Sequence, residues 1–202
     1  MKKIIAVAVG ALLASGTGAV LAQSQQAAKA LATEVCSACH GPEGRSVSPV
    51  FPRLAGQQAA YIILQLDAFR SHIRGDPSAQ AYMWGMASQL SDDTMKALAG
   101  YYASQKPSHE KAGDPALLAE GEKIYTQGIK AQNVQACALC HGQNAEGMGA
   151  FPRLAGQHVD YLVAQLQGFQ SGTRANAPIM LGVVRTMNPE QIKAAASYAA
   201  SR

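Results

Sequence analysis

Apolar residues along this chain fall at helical spacing in short stretches, and the stretches come in two matching sets. Ile62, Leu66 and Phe69 stand at i, i+4 and i+7, and Leu162, Leu166 and Phe169 repeat the spacing about a hundred residues later. Each set predicts a helix with one face in a core, opened at equivalent places by Tyr61 and Tyr161. Gln25 to Val35 is Ala-rich and lacks Gly and Pro, so it reads as a leading helix; Leu117 to Tyr125 takes that part in the second half. Met95, Leu98 and Tyr102 mark a closing helix. Ser91 can cap it, and the carboxylates of Asp92 and Asp93 suit its positive end. The other closing helix has Asn188 as its cap, Pro189 in the first turn and Gln191 three places after the cap, the pattern of a capping box. Ile192, Ala195 and Ala199 would face inward there.

Breakers separate these elements. Gly41 to Pro49 carries Gly, Pro and Ser and predicts a loop, while Gly128 to Gln135 makes a longer approach in the second half. Lys106-Pro107-Ser108 through Gly113-Asp114-Pro115 is polar with Pro and Gly at both ends and reads as a linker, about 106–115. Phe51-Pro52-Arg53-Leu54-Ala55-Gly56-Gln57 recurs letter for letter as Phe151 to Gln157, an internal repeat. The expected architecture is all-α with two tandem domains, 23–107 and 108–202. About ninety residues is small for an independent core, so a large apolar group tied to each half would complete its interior.

The pattern has a reason to need such a group. Cys36-Ser37-Ala38-Cys39-His40 is echoed by Cys137-Ala138-Leu139-Cys140-His141, and these hold all four cysteines of the chain. Cys-x-x-Cys-His is the attachment pattern of haem c: two thiols form thioethers with the vinyl groups and the histidine supplies an axial iron ligand. A thioredoxin-type dithiol would not call for His in the next position twice. A zinc ribbon pairs its motifs over about 15–20 residues, far closer than these lie. Two covalently attached haem c groups are expected, with no thiol left for a disulfide or a nucleophile.

The N-terminus gives the address. Met1-Lys2-Lys3 opens a basic segment, an apolar run covers Ile4 to Ala14, and small residues lead to Val20-Leu21-Ala22. That is the form of a secretory signal, residues 1–22, cleaved after about Ala22. The apolar run is short and broken by Gly and Ser, unlike a span of about 20 residues. The protein is therefore expected in the periplasm, where haem attachment of this kind takes place, with loose association with a membrane complex left open. The full chain has 17 basic and 13 acidic side chains; losing Lys2 and Lys3 leaves 15 against 13. Seven basic and six acidic residues fall in 23–107, and eight and seven in 108–202. Neither half has a basic block of the kind that binds nucleic acid or lipid.

Whether the sixth iron position is filled separates an electron carrier from an enzyme or gas binder. Met83, Met86, Met95 and His72 are available after the first motif. Aligning Ser91 with Asn188 and Leu90 with Met187 sets Met83 against Met180 and Met86 against Val183. Met83 and Met180 are therefore the methionines present in both halves, each expected in a non-helical stretch that can aim a thioether. Met86 competes in the first half. Met86, Met95 and Met187 are otherwise expected as core fillers. His72 and His158 lack histidine counterparts and read as helix-surface residues, His109 belongs to the linker, and Met148 would line a loop near a haem edge. Thioether opposite imidazole raises the reduction potential and closes the iron to substrates. The second nitrogen of each axial histidine needs an acceptor; the carbonyls of Pro52 and Pro152 are the candidates. Arg53 and Arg153 could pair with haem propionates.

With these residues assembled, the sequence resembles the dihaem cytochromes c4, two class I cytochrome c domains in tandem. The resemblance rests on both Cys-x-x-Cys-His motifs, both Phe-Pro-Arg-Leu-Ala-Gly-Gln blocks and the Met-then-capped-helix endings, including Ala97-Leu98-Ala99-Gly100-Tyr101-Tyr102. It covers nearly all of the chain after residue 22. It implies a periplasmic carrier taking electrons from a quinol-oxidising complex to a terminal oxidase or reductase. It also implies haems packed at the domain interface, joined through propionate hydrogen bonds, with His40 and Met83 on one iron and His141 and Met180 on the other. Met86 is the departure that bears on ligand identity. A dihaem oxidoreductase acting on peroxide or a small sulfur anion is the competing class. It needs a labile iron site and acid–base groups that the chain does not repeat. A sensor with a vacant iron position is a third.

Overall fold

Helix propensity and caps divide each half in the same way. The computed structural model describes residues 16–110 and 113–202; residues 1–15, most of the expected signal segment, lie outside them. The first half runs through α1 (Gly16–Leu31), one π turn (Ala32–Cys36) and α2 (Ser37–His40). It continues with α3 (Ala59–Arg70), a second π turn (Ala79–Met83), α4 (Trp84–Ser88) and α5 (Asp92–Ala103). The second half repeats the plan: α6 (Pro115–Gln127), α7 (Ala138–His141), α8 (Val159–Ser171), α9 (Pro178–Val184) and α10 (Pro189–Ser201). Among the described residues there is no strand; three isolated bridges occur, one of which pairs Arg74 with Arg174 across the halves.

The closing helices start where their caps require. Ser91 accepts from the Thr94 backbone N–H, and Asn188 forms a full capping box with Gln191. In the first half α1, α3 and α5 enclose Ile62, Leu66, Met95, Leu98 and Tyr102. In the second, α6 crosses α10 closely enough to bury every residue from Ala194 to Ala200. Gly121 permits this approach, since a Cβ there would strike the Ala194 carbonyl and Tyr198. Ile62, Leu66 and Phe69 are buried as their spacing predicts. In α8 the pattern shifts: Leu162 and Phe169 are buried, but Leu166 is half-buried and Gln165 is buried. Gln165 is drawn inward by hydrogen bonds to the arginines of the interface.

Two expectations change here. Met83 ends the second π turn and Met180 lies within α9, so neither occupies a non-helical stretch. Pro178 at the first turn starts α9, and the Ala-rich run after Ser78 sustains the turn before Met83. His158 is not on a helix surface either. It stands at the first position before α8 at only 6% exposure, with Nε2 donating to the Ser46 carbonyl oxygen at 3.0 Å.

The segment between α5 and α6 is strapped down. Pro107 lies against Gly56 and the Ser108 carbonyl against Gly156, where a side chain would collide and where φ is +68° and +73°. Glu110 bonds Arg53 Nη1 at 2.7 Å and lies 3.5 Å from His158 Nδ1. Burial and the nearby Arg53 charge hold the His158 pKa below its ordinary value, against the opposing pull of Glu110 and Asp160.

Two measurements follow from this packing. Gly121→Ala should cost about 1–3 kcal/mol through overpacking, read as a lower thermal midpoint with the haem spectrum unchanged. Because the His158 pKa is depressed in the fold, its contribution is complete above the unfolded value of about 6.5 and is lost as pH falls toward the folded value. The stability gap between the wild type and His158→Gln, from denaturant unfolding, should therefore change between about pH 7.5 and pH 5. A gap that is flat across that window would show that His158 carries no proton-linked stability.

Candidate functional site

Each half builds its site from the end of one short helix and the carbonyl of one proline. The π turn ends at Cys36, and α2 carries Ser37 to His40, so both thiols and the imidazole come from consecutive helical turns. Extra-residue turns of this kind recur at functional sites; here Thr33 bonds Lys29 O and Ser37 bonds Thr33 O around it. The second copy places Ala138 to His141 on α7. His40 and His141 are buried, at 7% and 6% exposure. His40 Nδ1 donates to the Pro52 carbonyl oxygen at 2.9 Å, and His141 Nδ1 to the Pro152 carbonyl oxygen at 3.0 Å.

That bond determines the chemistry of the ring. A carbonyl can only accept, so Nδ1 carries the proton and Nε2 keeps its lone pair. Burial, the larger influence, pushes both imidazole pKa values down, so the neutral form is favoured. A buried neutral imidazole with a defined tautomer is a metal donor. Burial also raises the Cys36 thiol, and takes the Cys137 thiol up to about 11. Before attachment these are neutral thiols, unlike the low-pKa cysteine of a thioredoxin-type dithiol.

The methionines sort by burial. Met83 packs against both the first-half core and the Phe69, Ala79 and Ala87 cluster. Met180 packs against the cluster of Ile124, Phe169, Val184 and Ile192. Met95 and Met187 fill cores at 2% and 6% exposure. Met86 is not a core filler: α4 turns it outward, 44% exposed. Met148 is exposed in its loop. His72 is exposed and stacks on Trp84, ring centroids 4.0 Å apart. Large apolar side chains stand exposed next in sequence to the donors: Tyr82 beside Met83, Leu139 within the second motif, and Ile179 and Leu181 beside Met180. Imidazole, thiols, thioether and an apolar rim suit a covalently held haem in each half.

The arginines of the repeated block behave differently from one another. Arg53 Nη1 donates to Glu110 Oε2 at 2.7 Å and to the Gly156 carbonyl oxygen at 2.6 Å, bridging the halves. Arg153 Nε donates to the Ala155 carbonyl oxygen at 3.1 Å.

What the sequence reading missed is the surface joining the halves. Arg74 and Arg174 are buried at 4% and 5% exposure. Arg74 donates to Asp76 at 2.8 Å, to Gln165 Oε1 at 2.6 Å and to the Tyr161 hydroxyl at 3.1 Å. Arg174 donates to Gln165 Oε1 at 2.7 Å and to the Tyr61 hydroxyl at 2.7 Å. Each guanidinium lies over the Phe of its own half, Phe69 at 4.6 Å and Phe169 at 4.5 Å. Gln57 and Gln157 reach across in the same reciprocal manner. A signal existed: Tyr61, Gln65 and Arg74 all recur one hundred positions later.

The cytochrome c family model matches residues 25–106 and 118–201. Cytochrome c4 of Azotobacter vinelandii is 38% identical over 90% of this chain and 91% of its own. The solved cytochrome c4 of Acidithiobacillus ferrooxidans superposes with a TM-score of 0.78 at 39% identity, over 83% of this chain and 98% of that one. A thiosulfate dehydrogenase electron acceptor of Stutzerimonas stutzeri is 38% identical over 84% of this chain and 80% of its own. The twin motif sites, the all-helical tandem halves and these likenesses agree, and the chain belongs to the dihaem cytochrome c4 family, electron-transfer proteins with two covalently attached haem c groups.

Proposed function

We propose that this chain is a periplasmic carrier moving electrons from a quinol-oxidising complex to a terminal oxidase or reductase. In this reading residues 1–22 are removed on export, and 23–107 and 108–202 form the two haem domains. Among the described residues no helix is long and apolar enough to cross a membrane. The similarity to a thiosulfate dehydrogenase electron acceptor supports adding a sulfur-anion dehydrogenase to the donors. It favours carriage over turnover, since that relative's name describes taking electrons.

One observation carries the reading: each half holds a buried, neutral motif imidazole on a prolyl carbonyl and a half-buried methionine packed on a core cluster of that half. His40 and Met83 would hold one iron, His141 and Met180 the other, with Cys36, Cys39, Cys137 and Cys140 as the thioether anchors. When bound, each haem iron supplies a one-electron couple. The chain's own residues would hold both donors of each iron and, with the apolar side chains beside them, would shield it from water. Arg153 suits a haem propionate better than Arg53, whose guanidinium is already paired with Glu110.

Carbon monoxide added to the reduced protein should bind neither haem promptly. Met83→Ala should open the first haem to it, and Met180→Ala the second, while Met86→Ala should change nothing. Prompt binding by the wild type would point instead to a dihaem oxidoreductase or a sensor.

A further inference from the structure

The side chain of the last residue of the repeated block bonds chiefly to the opposite half. Gln57 and Gln157 are polar, yet only 6% and 5% exposed. Gln157 Oε1 accepts the Arg53 backbone N–H at 2.8 Å, and Gln157 Nε2 donates to the Arg53 carbonyl oxygen at 2.9 Å. Gln57 returns both bonds to the other half: its Oε1 accepts the Arg153 N–H at 2.7 Å, and its Nε2 donates to the Arg153 carbonyl oxygen at 2.9 Å. Each Oε1 also accepts the N–H of the next residue, Gln58 or His158, which fixes the amide's orientation.

The Arg53 N–H and the Pro52 carbonyl belong to one peptide unit, and that carbonyl is the acceptor for His40 Nδ1. The Arg153 N–H and the Pro152 carbonyl stand in the same relation to His141. No peptide bond among the described residues is cis, so N–H and C=O point oppositely along each unit. The result is a linear chain: an amide oxygen from one half, a peptide of the other half, and that half's motif imidazole. Hydrogen bonds in such chains polarise one another, so a peptide that donates through N–H accepts more strongly through C=O. A stronger acceptor on Nδ1 makes the imidazole a more basic iron donor.

We propose that Gln57 and Gln157 are crossed tuning residues: each acts through the Pro–Arg peptide of the opposite half on the axial histidine there. Gln157 lowers the reduction potential of the first-half haem, and Gln57 that of the second. Their role is positioning and polarisation, since they touch neither haem ligand directly. The two redox centres therefore depend on how the halves face each other. This rests on His40 and His141 being iron ligands. A low-spin spectrum of the oxidised wild type establishes that point separately, before any variant is compared.

The test is a spectroelectrochemical titration of the purified dihaem protein, with each potential assigned to its half by following resolved haem methyl resonances. Gln157→Ala should raise the first-half potential and leave the second nearly unchanged; Gln57→Ala should do the reverse. Gln157→Met, close in volume and uncharged but lacking the amide oxygen, should raise the first-half potential as alanine does. Equal shifts at both haems, a shift confined to the substituted half, or no shift would overturn the proposal. Should the alanine variants fail to fold, amide exchange on the wild type decides. Slow exchange at Arg53 and Arg153 is expected, and exchange at the rate of an open loop would overturn it.

Discussion

Everything in this molecule is arranged around a single type of hydrogen bond, from a buried imidazole Nδ1 to a prolyl carbonyl oxygen, made once in each half. Proline suits the acceptor position because it lacks an N–H that could compete for the same space. The bond selects the tautomer, leaves Nε2 as donor, and ties the end of the short motif helix to the loop that follows. Without it, a buried histidine would face an unpaired polar group, at a cost of about 1–3 kcal/mol, and its ring would be free to turn. The glutamines extend the hydrogen-bonded chain across the interface, each accepting from the peptide that holds the opposite half's motif histidine.

The buried arginine cluster of the interface is a pseudo-twofold arrangement that is broken at position 76. Arg74 and Arg174, Gln65 and Gln165, Tyr61 and Tyr161 match in place and in partner. Asp76 has an amide, Asn176, as its counterpart. Asp76 pairs with Arg74 Nε at 2.8 Å, whereas Arg174 Nε and Asn176 Oδ1 are both buried without a hydrogen-bond partner. One buried cation is thus neutralised by a carboxylate and the other is held by neutral oxygens and an aromatic face. Buried charge of this kind is costly unless it is well bonded; the two glutamines and two tyrosines supply that bonding. The arginines also lie against Phe69 and Phe169, which pack in the clusters holding Met83 and Met180.

The parts legible in the sequence are those governed by local rules. The Ser91 and Asn188 caps, the inward faces of Ile62 and Ile192, and the leading helices follow from period, capping chemistry and propensity. The pairing of each motif histidine with its proline carbonyl is legible too, because both belong to repeated blocks. Local rules gave a poorer account of Met83 and Met180, since an Ala-rich run and an N-terminal proline extend helix over them. They place His158 on a helix surface, wrongly, and give no signal for the roles of Gln57, Gln157, Arg74 and Arg174. A duplicated sequence reveals two similar domains but not which surfaces meet, and these residues bond across that meeting. His158 differs from Gln58 at the matching position, so comparison of the halves gave no hint of its burial.

The central claim is that both iron positions in both halves are filled by the chain, with imidazole on one side and thioether sulfur on the other. Electron paramagnetic resonance of the oxidised holoprotein, with haem counted per chain, addresses it most directly. Two low-spin centres per chain, each with the signature of histidine and methionine, are predicted. A single haem, or a high-spin five-coordinate signal at rest, would contradict the account.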